Sequence, residues 1–263
     1  MENVVKAKKI VIKIGTSTLT HKTGNINIRR VEHLVKIISD LKNSGKEIVL
    51  VSSGAVGVGM GKLGLDKKPK TISKKQALAA IGQCELMYLY DKLFGEYNHN
   101  VAQVLLTNDV VGENADISNI YNTFEQLLKY NVIPIINEND TVSTEELEFG
   151  DNDTLSAVVS SIIGADLLVI LTDIDGLYTD NPKKNKNAKR IEVVEEITDE
   201  IIDCCGGAVN NLGTGGMITK IKAGQIAFEN NFDMVILSSK NPNDLYSLFD
   251  GENKGTLFKV RWF

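Results

Sequence analysis

The sequence predicts an α/β fold in which a mostly parallel sheet lies between helical layers. Short runs that are apolar throughout recur along the 263 residues, and helical patterns separate them. The glycine-rich and acidic stretches fall at the carboxyl ends of those runs. Strands without polar alternation need cover on both faces, and strands alternating with helices need parallel crossovers.

Each element follows from its pattern. "KKIVIKIG" reads as a strand ending at Gly15. Val31, Leu34, Val35, Ile38 and Leu41 keep helical spacing. "EIVLVSSG" (Glu47 to Gly54) is a second strand, and a helix-rich stretch runs from about Ser73 to Phe94. "VAQVLLT" (Val101 to Thr107) is a strand, Ile117 to Tyr130 a helix, and "VIPII" (Val132 to Ile136) a strand. Leu155, Val158, Val159, Ile162 and Ile163 lie at i, i+3, i+4, i+7 and i+8, one face of a helix. "DLLVILT" (Asp166 to Thr172) and "DMVILSS" (Asp233 to Ser239) are strands, with a helix over Met217 to Glu229 between them. There is no repeat and no low-complexity linker, and none of the four prolines marks a boundary, so residues 1–263 are expected to form a single domain.

Composition excludes several classes. With 43% hydrophobic residues the chain can bury a sizeable core. A formal net charge of -5 argues against a nucleic-acid binder. The basic run "NPKKNKNAKR" (Asn181 to Arg190) is apolar-poor and reads as a solvated loop. The N-terminal apolar run is too short and too charged for a signal peptide or a membrane span. Cys84, Cys204 and Cys205 form no C-x-x-C pair, which suits a reducing cytoplasm. His21, His33 and His99 are scattered, and no spacing resembles a zinc site, so no protein-held metal is expected.

Ligands of open α/β sheets gather at the carboxyl ends of the strands. Those ends carry "KIGTS" (Lys13 to Ser17), "SSGAVGVGMG" (Ser52 to Gly61), "NENDTVS" (Asn137 to Ser143) and "TDIDGLYT" (Thr172 to Thr179). "GTGGMITK" (Gly213 to Lys220) precedes the late helix. Two of these stretches put glycines at or near a helix start, where free N–H groups attract phosphate. The plainer alternative for each is a tight turn that binds nothing. Together with acidic loops at the same edge they favour phosphate chemistry. Gly59, Gly61 and Gly64 match G-x-G-x-x-G, but the match does not open directly off the strand and reads as accidental. No G-x-x-x-x-G-K-[ST] occurs, so ATP use would not rest on a P-loop.

Lys13 interrupts an apolar strand. It either points to water from a partly exposed strand or aims at phosphate from the strand's end. Lys220, one turn into a helix, is open to the same two readings. In "GDNDTLSA", Asp151 or Asn152 can cap the helix that follows, and capping needs only one of the polar residues.

The stretches "KIGTSTLT", "VSSGAVGVG", "PIINENDTVS", "FGDNDTLSA", "LTDIDGLYTDNP" and "GTGGMITK" resemble, in order, those of the amino-acid kinase family, and within it the glutamate 5-kinase form. The resemblance covers about Lys9 to Ser239 and implies a three-layer αβα fold. It implies transfer of the γ-phosphoryl of ATP, with Mg²⁺ carried on the nucleotide, to the side-chain carboxylate of L-glutamate. The product is L-glutamyl 5-phosphate, at the start of proline synthesis. Lys13, Asp153 and Lys220 are then catalytic, with Asp153 orienting the two lysines. Ser53, Gly54, Asp140 and Asn152 bind glutamate, Asp140 suiting its α-ammonium. Lys13, Thr172, Asp173, Thr214, Gly215, Gly216, Met217, Ile218, Thr219 and Lys220 bind the nucleotide. An Asp153→Asn variant is expected to fold normally and lose most turnover.

Many relatives carry a C-terminal PUA domain, and the sequence ends at Phe263, too soon to hold one, so no function tied to it is expected. The resemblance also suggests a cytoplasmic homo-oligomer inhibited by proline, with no nucleic-acid or membrane partner. The charged segment Leu65 to Gln76 is expected to be mobile. The rival readings are another kinase of this fold, acting on acetylglutamate, aspartate, carbamate or UMP, and a sensor of amino acids or nucleotides without turnover.

Overall fold

The computed structural model describes residues 1–21, 23–67, 69–107, 117–142, 152–182, 184–204 and 216–260. Helix α1 (Glu2–Lys6) precedes β1 (Lys9–Ile14), which is followed by the one-turn helix α2 (Thr16–Leu19) and by α3 (Ile28–Asn43). Strand β2 (Glu47–Ser52) leads into α4 (Ala55–Lys62), α5 (Ile72–Gly95) and β3 (Val101–Leu106). Then come α6 (Ile117–Lys129), β4 (Ile133–Glu138), α7 (Asn152–Ile163) and β5 (Leu167–Thr172). A small hairpin of β6 (Leu177–Tyr178) and β7 (Arg190–Ile191) precedes β8 (Val193–Val194) and α8 (Asp199–Cys204). The chain continues through α9 (Met217–Glu229), β9 (Asp233–Ser238), α10 (Asp244–Phe249) and β10 (Thr256–Phe258).

Eight strands form one sheet in the order β3-β4-β2-β1-β5-β9-β10-β8. The first six run parallel, β10 joins β9 antiparallel, and β8 joins β10 parallel. The pleat divides the core in two. Ile10, Ile12, Ile14, Ile48, Leu50, Leu167 and Val169 pack on one face with buried residues of α3, α5 and α10. Val11, Val49, Val51, Leu168 and Ile170 pack on the other with α6, α7 and α9. Strands so placed have no exposed face, which is why their sequences do not alternate.

Most predicted elements lie within a residue or two of those observed. Strand β4 begins one residue later than expected and continues two residues further, so Asn137 and Glu138 end a buried strand instead of opening a loop. The segment expected to be mobile is partly helical, because α5 begins at Ile72. Helices α1, α2 and α10 and the two strands at the β9 side of the sheet were not expected; each has six residues or fewer, too few for a periodic pattern to show.

The loop after β2 depends on glycine. Gly54 has φ of 100°, a left-handed conformation that turns the chain from strand into helix α4. Helices α4 and α5 then approach so closely that a Cβ on Gly82 would sit 1.7 Å from the carbonyl oxygen of Ala55. A Cβ on Gly59 would lie 2.1 Å from that of Leu78. Packing of these helices accounts for Gly59, in keeping with the accidental match to the dinucleotide pattern.

Candidate active site

The chain leaves β1 toward β2 across the α3 side of the sheet, and leaves β5 toward β9 across the α9 side. The crevice between the carboxyl ends of β1 and β5 is therefore the topological switch point, where open α/β sheets hold ligands.

Lys13 lies one residue from the end of β1, between Val51 and Ile170 on the neighbouring strands. Period-two alternation puts it on the same face as Val11, the face covered by α7 and α9. It is 9% exposed, so the reading in which it points to water fails. Its Nζ lies 2.6 Å from Oδ1 of Asp153, in the first turn of α7. Lys220, one turn into α9 and 4% exposed, donates from Nζ to Oδ2 of the same carboxylate at 2.9 Å. Thr219 donates its hydroxyl to Oδ2 at 2.8 Å. One carboxylate, itself 1% exposed, is thus clasped by two ammonium groups from two different elements.

Burial by itself would raise the Asp153 carboxyl. The charges of Lys13 and Lys220, and their hydrogen bonds, outweigh burial and hold it below its ordinary value. The formal charge of the three groups is one positive unit in excess. Buried excess charge is costly without a partner, so the cluster is suited to receive an anion in the crevice.

A second set of polar groups lies at the ends of β2 and β4. Asn152, the first residue of α7, is buried and directs its side chain away from its own helix. Its Nδ2 faces Oγ of Ser53 at 2.9 Å, Oδ1 of Asn137 at 2.9 Å and the carbonyl oxygen of Ser52 at 3.2 Å. Asn152 is therefore not the helix cap; Asp151, the other candidate, lies outside the described residues. The backbone N–H of Ser53 donates to the carbonyl of Ile14 at 3.0 Å, tying the ends of β1 and β2 together.

Asp140, just beyond β4, is 7% exposed, and its Oδ1 is buried without a hydrogen-bond partner among the described residues. Burial, and then the neighbouring Glu138, push its carboxyl from 3.8 up to about 7. Asp140 and Glu138 line a small crevice with Ala55, Ala79, Gln83 and Leu105.

The remaining expected residues are scattered along one edge. Gly54 stands at the start of α4. Thr172 ends β5, is 9% exposed, and donates to Oδ1 of the exposed Asp173 at 3.3 Å. Gly216 precedes α9 in extended conformation, Met217 is half-buried and Ile218 is 46% exposed. Thr214 and Gly215 lie outside the described residues. The sequence reading missed Gln83, Tyr90 and Ser52, and did not single out Asn137. Asn137 Nδ2 donates to Gln83 at 2.9 Å, and the hydroxyls of Ser52 and Tyr90 are 2.9 Å apart.

The profile of the Amino acid kinase family matches residues 8–238. The chain belongs to the amino acid kinase family. Among curated relatives in that family, the glutamate 5-kinase of Clostridium perfringens is 53% identical over 97% of this chain and 96% of its own. That of Clostridium acetobutylicum is 51% identical over 95% and 94%. A solved carbamate kinase from Giardia lamblia bound to AMP-PNP superposes with a TM-score of 0.67 at 18% identity, over 98% of this chain and all of that one. An isopentenyl phosphate kinase in a substrate complex gives 0.65 at 16% identity, over 96% of this chain and all of that one. At such identities these structures share the fold of the family, the three-layer αβα arrangement described above. No helix among the described residues is long and apolar enough to cross a membrane.

Proposed function

We propose that this member of the amino acid kinase family is an ATP-dependent glutamate 5-kinase. It transfers the γ-phosphoryl group of ATP to the side-chain carboxylate of L-glutamate, at the start of proline biosynthesis. The observation that carries the chemistry is the clasp of Asp153 by Lys13 and Lys220, with its excess positive charge at the switch point. The two curated relatives reported above, both named glutamate 5-kinase at about half identity, carry the choice of substrate.

The nucleophile is already a carboxylate, so no general base is needed. A carboxylate oxygen of glutamate forms a bond to the γ-phosphorus, and the bond from that phosphorus to the β–γ bridging oxygen breaks. ADP leaves with the electron pair. Little covalent chemistry falls to the protein; positioning and charge stabilisation are its work.

The residues present suit a nucleotide, because the cluster lacks one negative charge and a polyphosphate supplies it. A divalent ion held on the phosphates would add further charge neutralisation during transfer. Lys13 and Lys220 flank the transferring group and stabilise its equatorial oxygens. Asp153 keeps both ammonium groups in place, and Thr219 keeps Asp153 in place. At the other end, Asp140 takes the α-ammonium of glutamate, with Ser53 and Asn152 beside it. Gly216 to Thr219, Thr172 and Asp173 lie on the nucleotide side. Assembly into a cytoplasmic homo-oligomer and inhibition by proline belong to the same reading.

The test is ATP turnover with Mg²⁺ and hydroxylamine, across L-glutamate, L-aspartate, N-acetyl-L-glutamate and UMP. Hydroxylamine traps an acyl phosphate as a hydroxamate. Hydroxamate formed with L-glutamate alone is the expected result. Turnover with a different acceptor overturns the substrate, and ATP binding without turnover on any of them overturns the kinase.

A further inference from the structure

The crevice that holds Asp140 is also lined by Gln83, which comes from the outer helix α5 and has no part in the reading above. Gln83 stands at one end of a run of three amide side chains, Gln83, Asn137 and Asn152, which ends at Ser53.

The direction of each amide in that run is determined. The backbone N–H of Glu138 donates to Oδ1 of Asn137 at 3.0 Å. A carbonyl oxygen must therefore occupy that side of the Asn137 amide, and its NH₂ must face the other way. There it donates to Oε1 of Gln83 at 2.9 Å. The same Asn137 oxygen also accepts from Nδ2 of Asn152, so Asn152 must present its NH₂ toward Asn137 and Ser53. Its own Oδ1 is then turned away from them. That oxygen is buried, on a residue 1% exposed, and has no hydrogen-bond partner among the described residues. Oδ1 of Asp140 is in the same condition. A buried acceptor left unsatisfied costs about 1–3 kcal/mol, so both oxygens call for a donor that the described residues do not supply, and a ligand can bring it.

We propose that Gln83 is a positioning and specificity residue of the amino-acid site. Through Asn137 it locks Asn152 with its carbonyl oxygen available, so the site selects acceptors that bring the several N–H donors of a free α-ammonium. This rests on the kinase reading for what is phosphorylated, but not for what is bound. An α-ammonium can satisfy two or three acceptors at once. An N-acylated amino group keeps one N–H and adds a carbonyl, for which these two oxygens offer no donor. Gln83 touches no reacting atom, so its effect is on recognition of the amino acid and not on transfer.

The experiment compares wild type with Gln83→Leu and Gln83→Met, which keep the bulk and remove the acceptor. The expected result is a rise of about tenfold in KM for L-glutamate, with kcat and KM for ATP within about twofold of wild type. The preference for L-glutamate over N-acetyl-L-glutamate should narrow as well, because Asn137 loses the acceptor for its NH₂ and is then held by the Glu138 N–H alone, which loosens its grip on Asn152. A general loosening would instead raise both KM values and lower kcat together, and that pattern overturns the proposal. So does a KM for glutamate within twofold of wild type in both variants. Thermal shifts with L-glutamate alone and with ATP alone, on the same proteins, separate the two proposals. A wild type that binds glutamate without phosphorylating it defeats the kinase, and Gln83 is then tested by the loss of the glutamate shift. A wild type stabilised by no free amino acid overturns both. If Gln83→Leu fails to fold, Gln83→Met carries the comparison; failure of both, with a normal melting point for the exposed helical Lys36→Ala as a control, makes Gln83 a packing residue and overturns the proposal.

Discussion

Two buried carboxyl groups stand at the same edge of the sheet, and their surroundings shift them in opposite directions. Asp153 is held ionised by cations the chain itself supplies, one from β1 and one from α9. Among the described residues no such cation faces Asp140; burial and Glu138 push it up to about 7. On the reading proposed above, the first carboxylate is finished when the protein folds and serves to aim two lysines. The second is completed only when a ligand brings positive charge. In that proposal opposite ends of one substrate site need opposite electrostatics: surplus positive charge where phosphate is transferred, and unmet acceptors where an ammonium is gripped.

Breaking the first site should have the largest effect. Lys220→Ala is expected to lower kcat by on the order of 10²–10³, the scale of losing one donor to a transition state. Steady-state turnover near the wild-type value would remove Lys220 from the chemistry. Asp153→Asn should also lose most of its turnover, and burial changes what it does to folding. Normal folding was the expectation from sequence; the structure leaves Lys13 and Lys220 buried with no carboxylate between them. Breaking a buried pair typically costs about 3–5 kcal/mol, so the denaturation midpoint should fall with the activity. Unchanged stability in Asp153→Asn would mean that the two lysines swing out to water and are not held as described.

The second site should respond in the other direction. Asp140→Asn is expected to raise KM for L-glutamate by tenfold or more while making the folded protein more stable at neutral pH. The sign follows from the raised carboxyl. Between 3.8 and about 7 the native state binds more protons than the unfolded chain, so wild-type stability falls as pH rises through that window. The stabilising effect of Asp140→Asn should therefore be full above pH 7 and vanish near pH 4. In wild type, KM for glutamate should rise as pH falls below about 7, because a protonated Asp140 cannot pair with an ammonium. Melting curves and KM measured from pH 5 to 8.5 check both, and a flat KM profile would mean that Asp140 does not meet the ammonium.

How far the sequence reveals these sites depends on what carries the information. Strands β1, β2, β4, β5 and β9 are legible because both faces are covered and nothing polar interrupts them, apart from Lys13. That exception was visible as a cost without a visible partner. Its partner, Asp153, lies 140 residues further on in a helix whose own residues reveal only a cap and an apolar face. The amide run is less legible still. Gln83 sits in a long helix among apolar neighbours, and Asn137 lies one residue beyond where the apolar strand pattern stops. A hydrogen bond between side chains far apart in sequence leaves no periodicity. Only the extension of β4 through Glu138 shows that the Glu138 backbone N–H fixes the amide direction.

The smallest expected effect tests how finely Asp153 is aimed. Thr219 donates to Oδ2 at 2.8 Å, on the same oxygen that Lys220 contacts, and also reaches the carbonyl of Gly216 at 2.8 Å. One hydroxyl proton cannot serve both acceptors fully, so the bond to Asp153 is shared. Thr219→Val keeps the shape and removes the hydroxyl. Because both lysines remain on the carboxylate, kcat should fall only a few-fold, the scale of about 1 kcal/mol for a neutral hydrogen bond. KM for glutamate should not move, since Thr219 belongs to the finished site and not to the open one. A change in KM for glutamate without a change in kcat would show that the two ends of the site are coupled through Asp153, and the division between them would have to be redrawn.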